Sequence, residues 1–201
     1  GVAQSTIEAS SVKRGEALFI VGESGIGKTT FAENLLGVHF DCDLTIDSVL
    51  LQPEHISEFQ RHLGWIPQLP QLAPGSIREQ FQLVAPKITD AEIVASLAEL
   101  SLPVSELPFG LDSTLGGSDE KSAQLSGGQI RKVAVARALI RSPFLIIADE
   151  PTADLDTESS RLVMNALRDR CNKGAVALFI THDLSQVDDH DLTLQMKRIH
   201  V

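Results

Sequence analysis

Cysteine is almost absent: Cys42 and Cys171 are the only two in 201 residues. Two thiols cannot build a disulfide framework, and neither sits in a CxxC or Cys/His metal spacing, so both are expected as free thiols in a reducing compartment. Long apolar runs are missing as well. The longest, Phe144 to Ala148 and Ala175 to Ile180, have strand length, far short of the roughly 20 residues that a membrane-spanning helix needs. Residues 1–14 contain no apolar stretch of the kind a secretory signal carries. A cytoplasmic chain is therefore expected, with any membrane span supplied by a partner or by further polypeptide. Positive charge is scarce too: 17 Lys and Arg stand against 27 Asp and Glu, a net charge of -10. Neutralising phosphates along a nucleic acid needs clustered cations, so general nucleic-acid binding is disfavoured. There is no internal repeat and no low-complexity segment.

What remains is the composition of a globular domain, 43% hydrophobic and 22% charged. Ala17 to Val21, Phe144 to Ala148 and Ala175 to Ile180 are continuously apolar, as strands in a parallel sheet are when helices cover both faces. Helical patterns lie between them. Lys28 to Leu36 spaces Phe31 and Leu35 four apart. Asp90 to Leu100 places Ile93, Val94, Leu97 and Leu100 on one stripe, with Thr89 and Glu92 at capping-box spacing. Ser126 to Arg141 and Thr157 to Cys171 also read as helices, the latter with Leu162, Val163, Ala166 and Leu167 on its apolar side. Alternation of this kind predicts an α/β fold with a mostly parallel sheet. Pro and Gly punctuate residues 70–143, which show helical pattern without a strong buried strand. The expected organisation is one domain over 1–201, with a core of 1–69 and 144–201 and a helical subdomain inserted at 70–143.

The first chemical signal is Gly22 to Thr29, which fits GxxxxGK[ST] between a predicted strand and a predicted helix. That is the setting of a P-loop. Its glycines let backbone N–H groups wrap a phosphate, and the helix N-terminus adds partial positive charge. Lys28 is placed to reach the β- and γ-phosphates and Thr29 to put its hydroxyl on Mg²⁺. Asp149 and Glu150 end an apolar strand, at the edge where open α/β sheets bind ligands. An Asp there can hold Mg²⁺ and an adjacent Glu can orient or deprotonate water. His182 follows a strand at the same edge, where a ring N–H could meet a phosphate. Leu125 to Gln129 reads LSGGQ before a helix. Ser126 is a good N-cap type, and two glycines there would let a phosphate come close.

Taken in order, these motifs resemble the ATP-binding cassette (ABC) family. LSGGQ runs into IRKVAVARALIRSPFLIIADEPTADLD, similar to the signature, its helix, Walker B and the D-loop. Walker A lies about a hundred residues upstream, the switch histidine matches His182 in ITHD, and the Q-loop glutamine matches Gln68 in GWIPQ. The resemblance implies a P-loop NTPase core with an inserted signature subdomain and ATP and Mg²⁺ as ligands. Two cassettes, identical or different, would pair head to tail on a transmembrane transporter domain, without nucleic acid. Gly22, Glu23, Ser24, Gly25, Ile26, Gly27, Lys28, Thr29 and Thr30 would hold the phosphates. Ser126, Gly127, Gly128 and Gln129 would hold the γ-phosphate of the opposite subunit. Thr29, Gln68 and Asp149 would face Mg²⁺. Glu150, His182 and Lys28 would act in hydrolysis, and Asp154 and Asp156 would lie at the dimer seam.

Pro70 to Glu79 resembles an exporter segment, and Thr114 to Gly117 the exporter loop before the signature, although Gly117 stands where a Glu is usual. The resemblance therefore implies an exporter domain at the cytoplasmic face of a membrane, in feel closest to bacterial cysteine/glutathione exporters. It departs at the N-terminus. The family usually stacks an aromatic ring on adenine from some 25 positions before the P-loop, and no aromatic precedes Phe19 here; the adenine platform and part of the N-terminal β-subdomain are expected to be missing, which shortens that subdomain, or to lie on further chain, with weaker base selectivity or weaker ATP affinity. Only 19 residues follow His182, so the C-terminal strands and helix are expected to be curtailed. A soluble ABC ATPase and a non-hydrolysing cassette are the alternatives.

Overall fold

The computed structural model describes residues 11–23, 25–37, 44–46, 49–115 and 124–196. In chain order these form β1 (Ala17–Val21), α1 (Lys28–Leu35), β2 (Thr45–Ile46), β3 (Val49–Leu50), α2 (Ile56–Arg61), β4 (Leu63–Ile66), β5 (Gly75–Ser76), α3 (Ile77–Gln82), α4 (Asp90–Glu99), β6 (Thr114–Leu115), α5 (Gly127–Leu139), β7 (Leu145–Asp149), α6 (Thr157–Asn172), β8 (Val176–Ile180) and β9 (Leu192–Gln195). The central sheet runs β4-β7-β8-β1-β9 with every neighbouring pair parallel. β2 with β3 and β5 with β6 form small antiparallel ribbons.

Side chains alternate across a strand, and here both sets are buried. Phe19, Val21, Ile146, Ala148, Ala177 and Phe179 face a core shared with α5 and α6. Leu18, Ile20, Leu145, Ile147, Leu178 and Ile180 face a second core closed by Ala32 and Leu35 of α1 and Phe59 of α2. This double burial is why β1, β7 and β8 appear as unbroken apolar runs. The first core continues into residues 77–115 through Ile77, Phe81, Ile93, Leu97 and Leu111. Between 70 and 143 the described strands are two residues long.

Helix starts follow local chemistry. Ser76, Thr89 and Ser126 each close a capping box on Glu79, Glu92 and Gln129, and Asp156 caps α6 through Ser159. Three sequence expectations need correction. Val94 is 39% exposed, because it lies one residue round from the Ile93–Leu97–Leu100 stripe. In α6, Met164 is buried where Leu162 is only half-buried. β4 and β9 were not anticipated. Cys171 is a free, buried thiol pushed up to about 11 by desolvation; Cys42 lies outside the described residues.

Candidate functional site

The sheet register levels the strand ends. Asp149 pairs with Ile180, Ile180 with Ile20, and Ile66 with Ala148. The residues just past those ends are therefore neighbours: Gly22 after β1, Gln68 after β4, Glu150 after β7, and Thr181 and His182 after β8. Main-chain bonds from Glu150 N to Ile180 O (2.8 Å), Thr181 N to Ile20 O (3.2 Å) and Met196 N to Val21 O (2.8 Å) carry the ladder to this edge.

The glycine-rich loop after β1 leads straight into α1. Gly25 and Gly27 have φ of 76° and 102°, a region L side chains avoid. A Cβ on Gly25 would meet nothing within 4 Å, so its requirement is conformational. Gly22 is tight instead, since a Cβ there would lie 3.0 Å from Met196 O. Gly27 is the N-cap of α1 and brings no capping side chain. Lys28 Nζ reaches back across the loop, donating to Gly22 O at 2.6 Å and Glu23 O at 2.9 Å. Ile26 is buried under the loop, while Glu23, Thr29 and Thr30 are exposed. Ser24 lies outside the described residues.

Thr29 Oγ1 donates to Asp149 Oδ2 at 2.6 Å. Asp149 is 2% exposed, and burial pushes its carboxyl above the ordinary carboxylate range, opposed by the Thr29 hydrogen bond. A hydroxyl and a carboxylate held together are oxygen donors of the hard kind that Mg²⁺ prefers. It takes one or two protein ligands and completes its shell with water and phosphate oxygens. Among the described residues no group of three or more His, Cys, Asp or Glu could hold a metal ion by itself. Gln68 is exposed at the end of β4.

Glu150 has φ of 47°, left-handed for a residue with a Cβ. Its carboxylate is held on both oxygens. Oε1 lies 2.6 Å from His182 Nδ1 and accepts from His182 N at 3.2 Å, and Oε2 accepts from Thr181 Oγ1 at 3.5 Å. His182 is otherwise exposed, with its side chain 76% accessible. The structure thus brings together the P-loop, the Thr29–Asp149 pair and the Glu150–His182 pair at one edge.

The signature residues stand apart from this cluster. Ser126 Oγ and Gln129 are engaged in their own capping box, and Gly127 is exposed with nothing near its Cβ position. Among the described residues, no hydrogen bond joins them to the P-loop. Gly128 packs on the D-loop, where an added Cβ would lie 3.3 Å from Leu155. Asp154 is 82% exposed with φ of 61°, whereas the expected seam residue Asp156 serves as the α6 cap.

Sequence reasoning missed Arg131, which donates to Glu150 O and Gln68 O. It also missed Gln186, which bonds Thr152 Oγ1 and Asp183, and buried Gln80, which clamps Ala73 after the Q-loop. Arg131 left a signal: it occupies the same helical stripe as Val135 and Leu139, where an apolar residue is the rule.

A family model described as ABC transporter matches residues 9–153, well over half of the chain. Multidrug resistance protein 1 of Entamoeba histolytica is 35% identical over 90% of this chain and 14% of its own length. ATP-dependent permease MDL1 of Candida albicans is 36% identical over 90% of this chain and 27% of its own. The Glutathione/L-cysteine transport system ATP-binding/permease protein CydD of Escherichia coli is 34% identical over 91% and 31%. The chain thus spans less than a third of each of these relatives. Relatives drawn from amoebae and fungi as well as a bacterium give no support to the expected bacterial origin. With that model matched over well over half of its length and its motifs in the family's order, the chain belongs to the ABC transporter family.

Proposed function

We propose that this chain is the nucleotide-binding domain of an exporter, comprising an ATP-binding core of 1–69 and 144–201 and a signature subdomain of 70–143, and that it hydrolyses ATP. The observation that carries the reading is the Glu150 carboxylate, fixed by His182 and Thr181 beside Asp149 and the P-loop. The loop amides of Gly22 to Thr30, with Lys28, would hold the triphosphate. Thr29 and Asp149 would hold Mg²⁺, joined by Gln68 from the end of β4. That ion would neutralise charge between the β- and γ-phosphates.

Glu150 would accept the proton of the attacking water as its oxygen bonds to the γ-phosphorus and the bond to the β-phosphate oxygen breaks, leaving ADP and phosphate. His182 would keep Glu150 aimed and donate toward the γ-phosphate. Because Ser126 to Gln129 lie away from the chain's own P-loop, they would serve the site of a second cassette, identical or not, in a head-to-tail pair. Among the described residues no helix is long and apolar enough to cross a membrane. The relatives whose names include "permease" point to a transmembrane partner beyond the cassette, which would place the chain at the cytoplasmic face of a membrane.

Sedimentation of Glu150→Gln with and without Mg·ATP tests this. An ATP-dependent dimer is expected, with turnover lowered by about 10²- to 10⁴-fold, the range of a lost general base. Parent-like hydrolysis by the variant removes Glu150 from the role. A parent that binds ATP and never hydrolyses it establishes the non-hydrolysing alternative instead.

A further inference from the structure

Arg131 is 3% exposed, and among the described residues its guanidinium makes no hydrogen bond to the P-loop. Nη1 donates to Glu150 O at 3.1 Å and Nη2 to Gln68 O at 2.8 Å, while Nη2 lies 3.9 Å from Asp154 Oδ2. One side chain on the signature helix therefore holds the main chain at the end of β4 and along the turn after β7. Both acidic residues it reaches in that turn, Glu150 and Asp154, are left-handed. Such backbone persists only where its surroundings over-determine it, and here Glu150 O accepts from Ala153 N as well as from Arg131.

We propose that Arg131 is a positioning residue that fastens the signature helix to Gln68 and Glu150, so that whatever engages the start of α5 also sets the geometry of this chain's own carboxylate. Two features of the structure support it. Leu155 packs against Gly128, giving the same helix a second hold on the same turn. The planar guanidinium fork also fixes two carbonyls at a set angle, which the point donor of a lysine cannot do. Desolvation pushes the Arg131 guanidinium down, opposed by Asp154 and Glu150. Leucine or methionine would fill the stripe beside Val135 and Leu139 without that cost. The inference rests on the proposed role of Glu150 and of the signature in a paired site.

The test uses the full chain as parent, Arg131→Lys and Arg131→Met. Amide hydrogen exchange is followed at 67–70, 150–155 and 22–30, alongside ATP binding and turnover. In Arg131→Met, exchange is expected to rise at 67–70 and 150–155 together, with 22–30 unchanged. The kcat should fall about tenfold or more while KM changes less than about threefold. Arg131→Lys should protect one of the two segments and recover turnover only in part. Parent-like exchange in both segments, or a uniform rise that includes 22–30, overturns the proposal; the second result would make Arg131 a packing residue. If the parent itself shows no turnover, the hydrolysis reading fails while the exchange arm still decides the fastening.

Discussion

At Asp149 chemistry and stability pull in opposite directions. The carboxylate is almost fully buried, with Thr29 as its hydrogen-bond donor, and its carboxyl is raised by desolvation. A raised acid pKa means that the native state holds the proton more tightly than the unfolded chain. The favourable contribution is complete below the unfolded pKa and is lost as pH rises through the folded one. At neutral pH the ionised group therefore costs stability. Asp149→Asn keeps an oxygen for Thr29 and removes the charge. Its melting temperature in metal-free buffer should rise at pH 7, by roughly 2–4 °C for each kcal/mol gained in a chain of this size, while Mg²⁺-dependent turnover collapses. A variant that melts lower at pH 7 would show that the buried charge is compensated. Motif residues such as Lys28, Thr29 and Glu150 stood out by their spacing in the sequence, and the structure gathers them at one sheet edge. Arg131 did not, because its partners are main-chain carbonyls far away in sequence, and nothing in their identity advertises them.

Among the elements, α6 and the segment after β8 depend on one another through Arg168. Its guanidinium makes a bidentate pair with Asp191 at 3.0 and 2.7 Å, donates to Gln186 O at 2.7 Å and lies 5.5 Å over the Phe19 ring. Asp191 is nearly buried beside it. This clamp anchors the chain between His182 and β9, and Gln186 extends it to Thr152 in the turn after Glu150. Arg168→Met leaves the Asp191 carboxylate with only the Asp188 main-chain N–H as donor among the described residues. The loss should be about 2 kcal/mol, within the range for hydrogen bonds to charged groups and below that for breaking a fully buried pair. Thermal unfolding checks it; an unchanged midpoint would mean that solvent replaces the clamp. Element visibility followed the same physics. β1, β7 and β8 are covered on both faces and read as apolar runs. β4 and β9 sit at the sheet edges, alternating or largely exposed, and so lack the run that marks a strand. The capping box at Thr89 was readable because both of its partners lie within one turn.

For the molecule as a whole, the levelled register is the feature with the widest reach. Glu150 is the first residue past β7 and His182 the second past β8, so the sheet acts as a ruler for that pair. The loop between α3 and α4 exposes Pro86 and Lys87 and does not enter the site. A two-residue insertion between them should leave ATP turnover within about twofold, as exposed loop tips usually allow. Deleting one residue from β7 should abolish turnover even in protein that still binds ATP, because a one-residue slip sends alternate side chains to the opposite face. Both variants can be assayed side by side, and an insertion that silences ATP turnover seen in the parent would show that the loop takes part. Tolerance to length change is thus expected to be uneven along the chain, generous in exposed connecting segments and least within the strands. On that expectation a cassette of this kind could lengthen its loops to suit new neighbours while the proposed nucleotide site, ruled off by the strand ends, stays in place.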